Sequence, residues 1–231
     1  MIPKLNVLID KQDNNEIIRD QIAAILELEK NNQVSLANAA GKNIEDFDFD
    51  VYSEKSRPWE ILTSEDGDEI GQMPLVNVCF DNDTFDNVNS DQTQRQRAKG
   101  TFYIDCYAHK NRTKLEKGDS LTSKESDRIA RLVRNIIMSA EYFQLALGNR
   151  ELGNGKNIVW RRNITKREKI MPVDREGQYF ESVIATRLTL IVEYDEFSPQ
   201  IQLVNLELLY LTCKKDETEK VYFEVENDFT T

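Results

Sequence analysis

Residues 122–148, TSKESDRIARLVRNIIMSAEYFQLALG, form the long amphipathic stretch in a chain that otherwise reads mostly as strand. Ile129, Leu132, Val133, Ile136, Ile137, Ala140, Phe143 and Leu147 recur at three- and four-residue steps, which places them on one face of an α-helix. That stripe has to be covered, so the rest of the chain must supply a packing surface. Thr122 and Glu125 have the spacing of a capping box, and Gly148 followed by Asn149 suits a C-cap. The opposite face carries Arg128, Arg131 and Arg134, with Asp127 spaced to pair with Arg131. The plainer reading of these arginines is a solvated surface.

Working outward from this helix, the flanking segments read as strands. Upstream, residues 15–30 predict a first helix with Ile18, Ile22, Ile25 and Leu26 on its stripe, and residues 31–43 a loop with one helical turn. Phe47, Phe49 and Val51 alternate with Asp48, Asp50 and Tyr52 as a strand with one wet face, closed by Arg57-Pro58-Trp59. Residues 60–71 then read as an acidic loop. Met73–Phe80 and Gly100–His109 are the next strands, and the polar segment Asp81–Lys99 between them reads as a long loop. Downstream come Asn157–Ile170 and Glu181–Glu196. The second of these is apolar on both faces, so it belongs in the sheet interior. After Ser198-Pro199, Ile201–Cys213 and Lys220–Glu226 resemble a hairpin around the charged turn 214–219. The order predicts an α+β fold: a mainly antiparallel sheet, two principal helices packed on one face, and a C-terminal β-hairpin. Residues 1–199 form the α+β domain in this reading, and 200–231 the hairpin extension.

Composition bounds the function. With 231 residues the chain can bury roughly three quarters of its unfolded surface, so it needs no disulfide or metal staple. The net charge of −11 disfavours wholesale wrapping of nucleic acid. Residues 1–10 lack the basic and apolar regions of a secretory signal, and no run of apolar residues is long enough to span a membrane. Cys79, Cys106 and Cys213 are well separated in strand-like runs and read as free buried thiols.

Motifs with chemistry are sparse. Cys106 and His109 are the close Cys/His pair, with Cys79 as a third candidate ligand, but positions 106 and 109 on one strand point to opposite faces. Residues 81–92 begin like a calcium loop yet place Asp86 where glycine is required and Gln92 where glutamate is required. Gly155-Lys156-Asn157 lacks the hydroxyl residue of a phosphate loop. A Mg²⁺-dependent nuclease assembled from Asp48, Asp50, Asp105 and Glu193 is the enzymatic alternative. Charge is more informative. Residues 45–91 hold fourteen acids against Lys55 and Arg57, a net −12, whereas 156–175 hold seven bases against Glu168 and Asp174, a net +5. The two segments either neutralise each other within one fold or pair between subunits, head to tail, a geometry that closes into rings.

The first helix, the strand ending in Arg57-Pro58-Trp59, Pro74-Leu75-Val76-Asn77-Val78, Gly100–Tyr107, the helix containing Ser126–Val133 and the strand ending in Leu188–Tyr194 together resemble, in layout, the tail terminator (tail-completion) proteins of long-tailed bacteriophages. The resemblance spans residues 15–197. It implies a non-enzymatic virion protein without cofactor or metal. Six copies would form a ring on the last ring of the tail tube, end its polymerisation and offer a surface to the neck or head connector protein. DNA would only pass through the lumen, no membrane would be involved, and assembly would take place in the host cytoplasm. By position, Asp83, Asp86, Arg95 and Arg97 lie in the extension expected to reach a neighbour or the tube, and Arg128, Arg131 and Arg134 lie near a ring contact. The charge argument adds Arg161 and Arg162. The hairpin after Pro199 departs from the plainest members of the family and keeps another neck or connector ring as the alternative.

Overall fold

The computed structural model describes residues 12–63, 74–91, 95–109, 118–147, 158–172, 183–197, 209–215 and 221–227. Helix α1 is Asn14–Ala39, β1 Asp50–Ser53, the one-turn α2 Glu60–Thr63, β2 Leu75–Asp91, β3 Arg95–His109, α3 Gly118–Ile137, β4 Val159–Ile170, β5 Val183–Phe197, β6 Leu209–Lys215 and β7 Val221–Asn227. The fold is α+β, as the pattern predicts. Strands β1 to β5 form one sheet in the order β1-β2-β3-β5-β4, antiparallel except for the β1–β2 pair. The chain divides into two units, Lys11–Ser198 and one holding the antiparallel β6–β7 hairpin, which runs from Leu209 opposite Asn227 to Lys215 opposite Val221.

The sheet alternation separates two faces. Val76, Val78, Phe102, Ile104, Cys106, Leu188, Leu190, Val192 and Tyr194 share one buried cluster with Ile18, Ile22, Ile25 and Leu26 of α1 and Ile129, Val133 and Ile137 of α3. Each such large side chain contributes about 1.5–3 kcal/mol by leaving water. On the reverse face, among the described residues, Leu62 and the half-buried Trp59 meet Leu75, Tyr107, Val183 and Ala185.

Several boundaries depart from the sequence reading. Helix α1 continues to Ala39 instead of ending near Lys30, because no glycine or proline interrupts it before Gly41, whose φ of 64° stops it. Residues 44–46 are a 3₁₀ turn capped by the Asn43 side chain, so β1 begins at Asp50 and not at Phe47. Helix α3 starts at Gly118, which places Thr122 inside it as a fully buried residue and removes the capping-box role. The same helix ends at Ile137, ahead of Gly148, which lies outside the described residues together with Ser198-Pro199 and most of the 214–219 turn. Phe143 is consequently off the buried stripe and 57% exposed. Asp127 pairs with Arg167 and Lys169 on β4, not with Arg131.

The largest correction concerns Asp81–Lys99. Residues 81–91 and 95–99 are not loop but continue the β2–β3 ladder, with Thr84 opposite Lys99, Phe85 opposite Ala98 and Asp86 opposite Arg97. Strand β5 supports its other side, setting Lys99 against Glu193 and Arg97 against Asp195. Cross-strand pairs of opposite charge compensate for the low strand propensity of Asp and Asn. At its base, Tyr194 O–H donates to Asp83 Oδ1 at 2.7 Å and Asn15 Nδ2 to Asp83 Oδ2 at 3.3 Å. Gly100 makes this approach feasible, since a Cβ there would stand 2.9 Å from Asp83 Oδ1 and 3.0 Å from the Phe102 and Tyr194 rings. Gly100→Ala is therefore expected to destabilise the protein by about 1–3 kcal/mol. An unchanged denaturation midpoint would show that the base of the ladder can give way.

Candidate functional site

Three surfaces hold the residues that the sequence singles out: the outward side of α3, the outer strand β4, and the β2–β3 arm. On α3, Arg131 and Arg134 are exposed. Arg128 is half-buried, donates through Nε and Nη2 to Glu125 at 3.0 and 2.6 Å, and reaches the Glu45 backbone carbonyl at 3.3 Å. It thus ties α3 to the 3₁₀ turn before β1.

On β4, Arg161 and Arg162 part company. Arg161 is exposed, whereas Arg162 is 7% exposed and turned under the sheet. Its guanidinium donates to the carbonyls of Ile137 (2.5 Å), Ser139 (2.5 Å) and Phe143 (2.6 Å). These oxygens belong to the end of α3 and the turn after it, where orphan carbonyls need donors. The same turn carries Leu145 and Ala146 at φ of 52° and 54°, a left-handed conformation that L-residues resist. Arg162 is a C-terminal cap for α3, not an outward contact. A bulge at Trp160 explains the divergence: it adds a residue between the Val159–Tyr194 and Arg161–Glu193 pairs, so Val159 and Arg162 both face inward and the indole is 44% exposed.

Along the arm, Asp83 is half-buried at the base, and burial raises its pKa above the usual carboxylate range even though Tyr194 and Asn15 donate to it. Its side chain serves the fold. Asp86 and Arg97 face each other across the ladder, and the Arg97 guanidinium lies 4.7 Å from the Trp160 ring centroid. Arg95 begins β3, and its side chain lies outside the described residues. Thr84 and Phe85 point to opposite faces and are both exposed, Phe85 by 48%.

Sequence reasoning missed a cleft on the face of the sheet opposite α1 and α3. A cavity of about 320 Å³ is lined by Lys55, Trp59, Asn77, Cys79, Asp105 and Arg187, among others. Arg187 donates through Nε and Nη2 to the two Asp105 oxygens, both at 2.7 Å, and stands 4.1 Å from the Tyr103 ring centroid. The Asp105 hydrogen bond raises the Arg187 pKa. Asn77 clamps Lys55 by accepting from its N–H at 3.1 Å and donating to its carbonyl at 2.9 Å. Asp105 stands directly opposite Arg187 in the β3–β5 register, a pairing that the sequence alone does not mark.

The strand carboxylates considered for a metal do not converge. Asp105 is bound to Arg187, Glu193 sits opposite Lys99 further along the ladder, and Asp50 lies on the sheet's outermost strand. Cys79 and Cys106 fall on opposite faces. Among the described residues no three of His, Cys, Asp and Glu are grouped as a metal site. Burial, then the Asp105 charge, pushes the Cys79 thiol up to about 11, and burial raises Cys106 as well. Both are expected to resist alkylation at neutral pH in the native state and to react on unfolding. Mass spectrometry of a Cys213→Ser chain checks this, and rapid native labelling of Cys106 would contradict it.

Among the described residues no helix is long and apolar enough to cross a membrane. No protein-family model matches the chain, and comparison with curated protein sequences finds no relative.

Proposed function

We propose that the chain is a non-enzymatic ring subunit of a phage virion, a tail terminator that caps the tail tube, ends its polymerisation and forms the junction to the neck. The observation that carries this reading is the β2–β3 arm. It is a paired ladder anchored by Asp83, Tyr194 and Asn15, and beyond that anchor it presents the exposed Phe85. The ring reading of the sequence expects a mobile loop here that orders on assembly; the paired strands depart from that and instead hold Phe85 in place for docking to another subunit or to the tube. The layout resemblance supports the same reading, with six copies as the ring number it implies. The net charge of −11 suits a lumen through which DNA passes without adhering.

The test is electron microscopy of tubes polymerised from the cognate tail tube protein with this chain added. The reading expects a ring at one end of each tube, and expects Phe85→Glu, a surface change, to leave the ends bare. Tubes that carry no ring with the wild-type chain contradict it.

A further inference from the structure

We propose that the chain binds a second copy of itself head to tail, the basic outer strand β4 of one subunit against the acidic segment Ile44–Glu54 of the next. The biological purpose of this contact rests on the ring reading above; its geometry comes from the sheet.

The strand order puts β1 and β4 at opposite edges of the five-stranded sheet. Residues 45–54 hold five acids, Glu45, Asp46, Asp48, Asp50 and Glu54, and no base. Strand β4 holds five bases, Arg161, Arg162, Lys166, Arg167 and Lys169, and one acid, Glu168. For residues 45–54 and strand β4, the charge asymmetry read along the sequence is therefore an asymmetry between the two edges of the sheet. Within the subunit it is only partly used. Arg162 is turned inward, Arg167 and Lys169 are held by Asp127, and Lys166 meets Glu168 on its own strand. Arg161 remains exposed at one edge, as do Glu45 and Asp46 at the other. Burial raises the pKa of Asp50; Lys30 opposes the shift, and the Asp48 and Glu27 carboxylates add to it, so further positive charge beside this segment would be favourable.

Each edge also offers one exposed apolar side chain beside its charges. Ile44 is 45% exposed next to Glu45 and Asp46, and Trp160 is 44% exposed next to Arg161. Such a pairing, an apolar anchor rimmed by complementary charge, is the usual anatomy of a specific contact. Bulges at Trp160 and Thr165 interrupt the β4 register, which disfavours adding a neighbour's strand by backbone pairing. The contact is thus made by side chains. Charge also selects the symmetry: β4 against β4 would oppose base to base, and the acidic segments would repel likewise. The two different patches must meet each other, and a contact of that heterologous kind extends into a ring or a filament.

Two variants test this, with mass by sedimentation equilibrium as the readout. Arg161→Glu with Lys166→Glu reverses the two exposed charges at 161 and 166 and takes β4 from +4 to 0, and Glu45→Lys with Asp46→Lys reverses the exposed pair beside Ile44 and takes residues 45–54 from −5 to −1. All four residues are exposed, and circular dichroism verifies that each variant folds. The wild-type chain is expected to self-associate, and each variant alone to do so at least about tenfold more weakly. Mixing the two variants should restore association, because the reversed pair at 161 and 166 then meets the reversed pair at 45 and 46 with opposite charge, while the unchanged patches of the two variants still suit each other. Unchanged association in either variant, no recovery on mixing, or a wild-type chain monomeric at every concentration overturns the contact. If the variants still associate and still cap tubes, the ring function stands and its contact lies elsewhere. If association follows the charges but no tube is capped, the contact stands and the terminator reading falls.

Discussion

Replacing Arg162 by methionine is expected to destabilise the α+β unit by about 3–5 kcal/mol, a drop of roughly 10 °C in Tm for a unit of this size. The loss has two sources. The carbonyls of Ile137 and Phe143 lose the Arg162 donor at once, Ser139 O keeps the Tyr142 N–H at 3.2 Å, and a buried carbonyl left unsatisfied costs about 1–3 kcal/mol, less whatever water recovers. The turn that those bonds hold contains Leu145 and Ala146 in left-handed backbone, so releasing it also frees the fully buried Leu145 and Leu147 from the core. Arg162→Lys should recover little, since an ammonium cannot present the planar fork of donors. Exposed Arg161→Met serves as the control and should change stability by less than about 0.5 kcal/mol. Chemical denaturation of the three variants decides the matter; equal losses at 161 and 162 would mean that the capping bonds contribute nothing.

The Asp105–Arg187 pair should give the second large effect. Asp105 is 2% exposed, and Arg187 and the Tyr107 hydroxyl, at 3.3 Å, both donate to it. Arg187→Met strands a carboxylate in a nearly dry site, and the expected loss is about 3–5 kcal/mol. Asp105→Leu leaves the partly exposed Arg187 able to reach solvent, so its cost should be smaller. The double replacement is expected to be less destabilising than Arg187→Met alone, because it removes the unpaired charge. A thermodynamic cycle over the four proteins measures the coupling. Strict additivity would show that the two side chains do not depend on each other.

Much of the architecture was legible because apolar side chains follow the geometry of each element. Ile129, Val133, Ile136 and Ile137 are buried where the helical spacing put them, and β5 lies between β3 and β4, as a strand apolar on both faces should. The arm was not legible for a physical reason. Asp81–Lys99 is poor in strand formers, with Thr84, Phe85, Val88 and Thr93 scattered among polar residues, and its pairing depends on partners in β3 and β5 that are distant in sequence. Helix α1 ran past Lys30 because weak propensity over residues 31–39 was not opposed by any breaker. Arg162 illustrates a subtler case. It shares the alternation of Ile158 and Ile164, which hinted at an inward side chain, but the bulge at Trp160 that decides the phase of the strand leaves no mark in the sequence.

The candidate contacts sort themselves by what the fold already asks of them. Asp83 and Arg162 are committed to anchoring, and Arg128 joins α3 to the turn before β1. Arg131, Arg134 and Arg161 are exposed, and Arg97 is stacked near Trp160. In the proposed ring Arg131, Arg134 and Arg161, with Phe85 on the arm, are the ones whose replacement should alter assembly while leaving the fold intact.

The most direct test of the terminator reading is the length distribution of tail tubes polymerised from the cognate tube protein with increasing amounts of this chain. A terminator predicts that tubes shorten as the chain is added and that capped tubes stop growing when fresh tube protein is supplied. Tubes that keep the same lengths and continue to grow at both ends, however much of the chain is present, would contradict it.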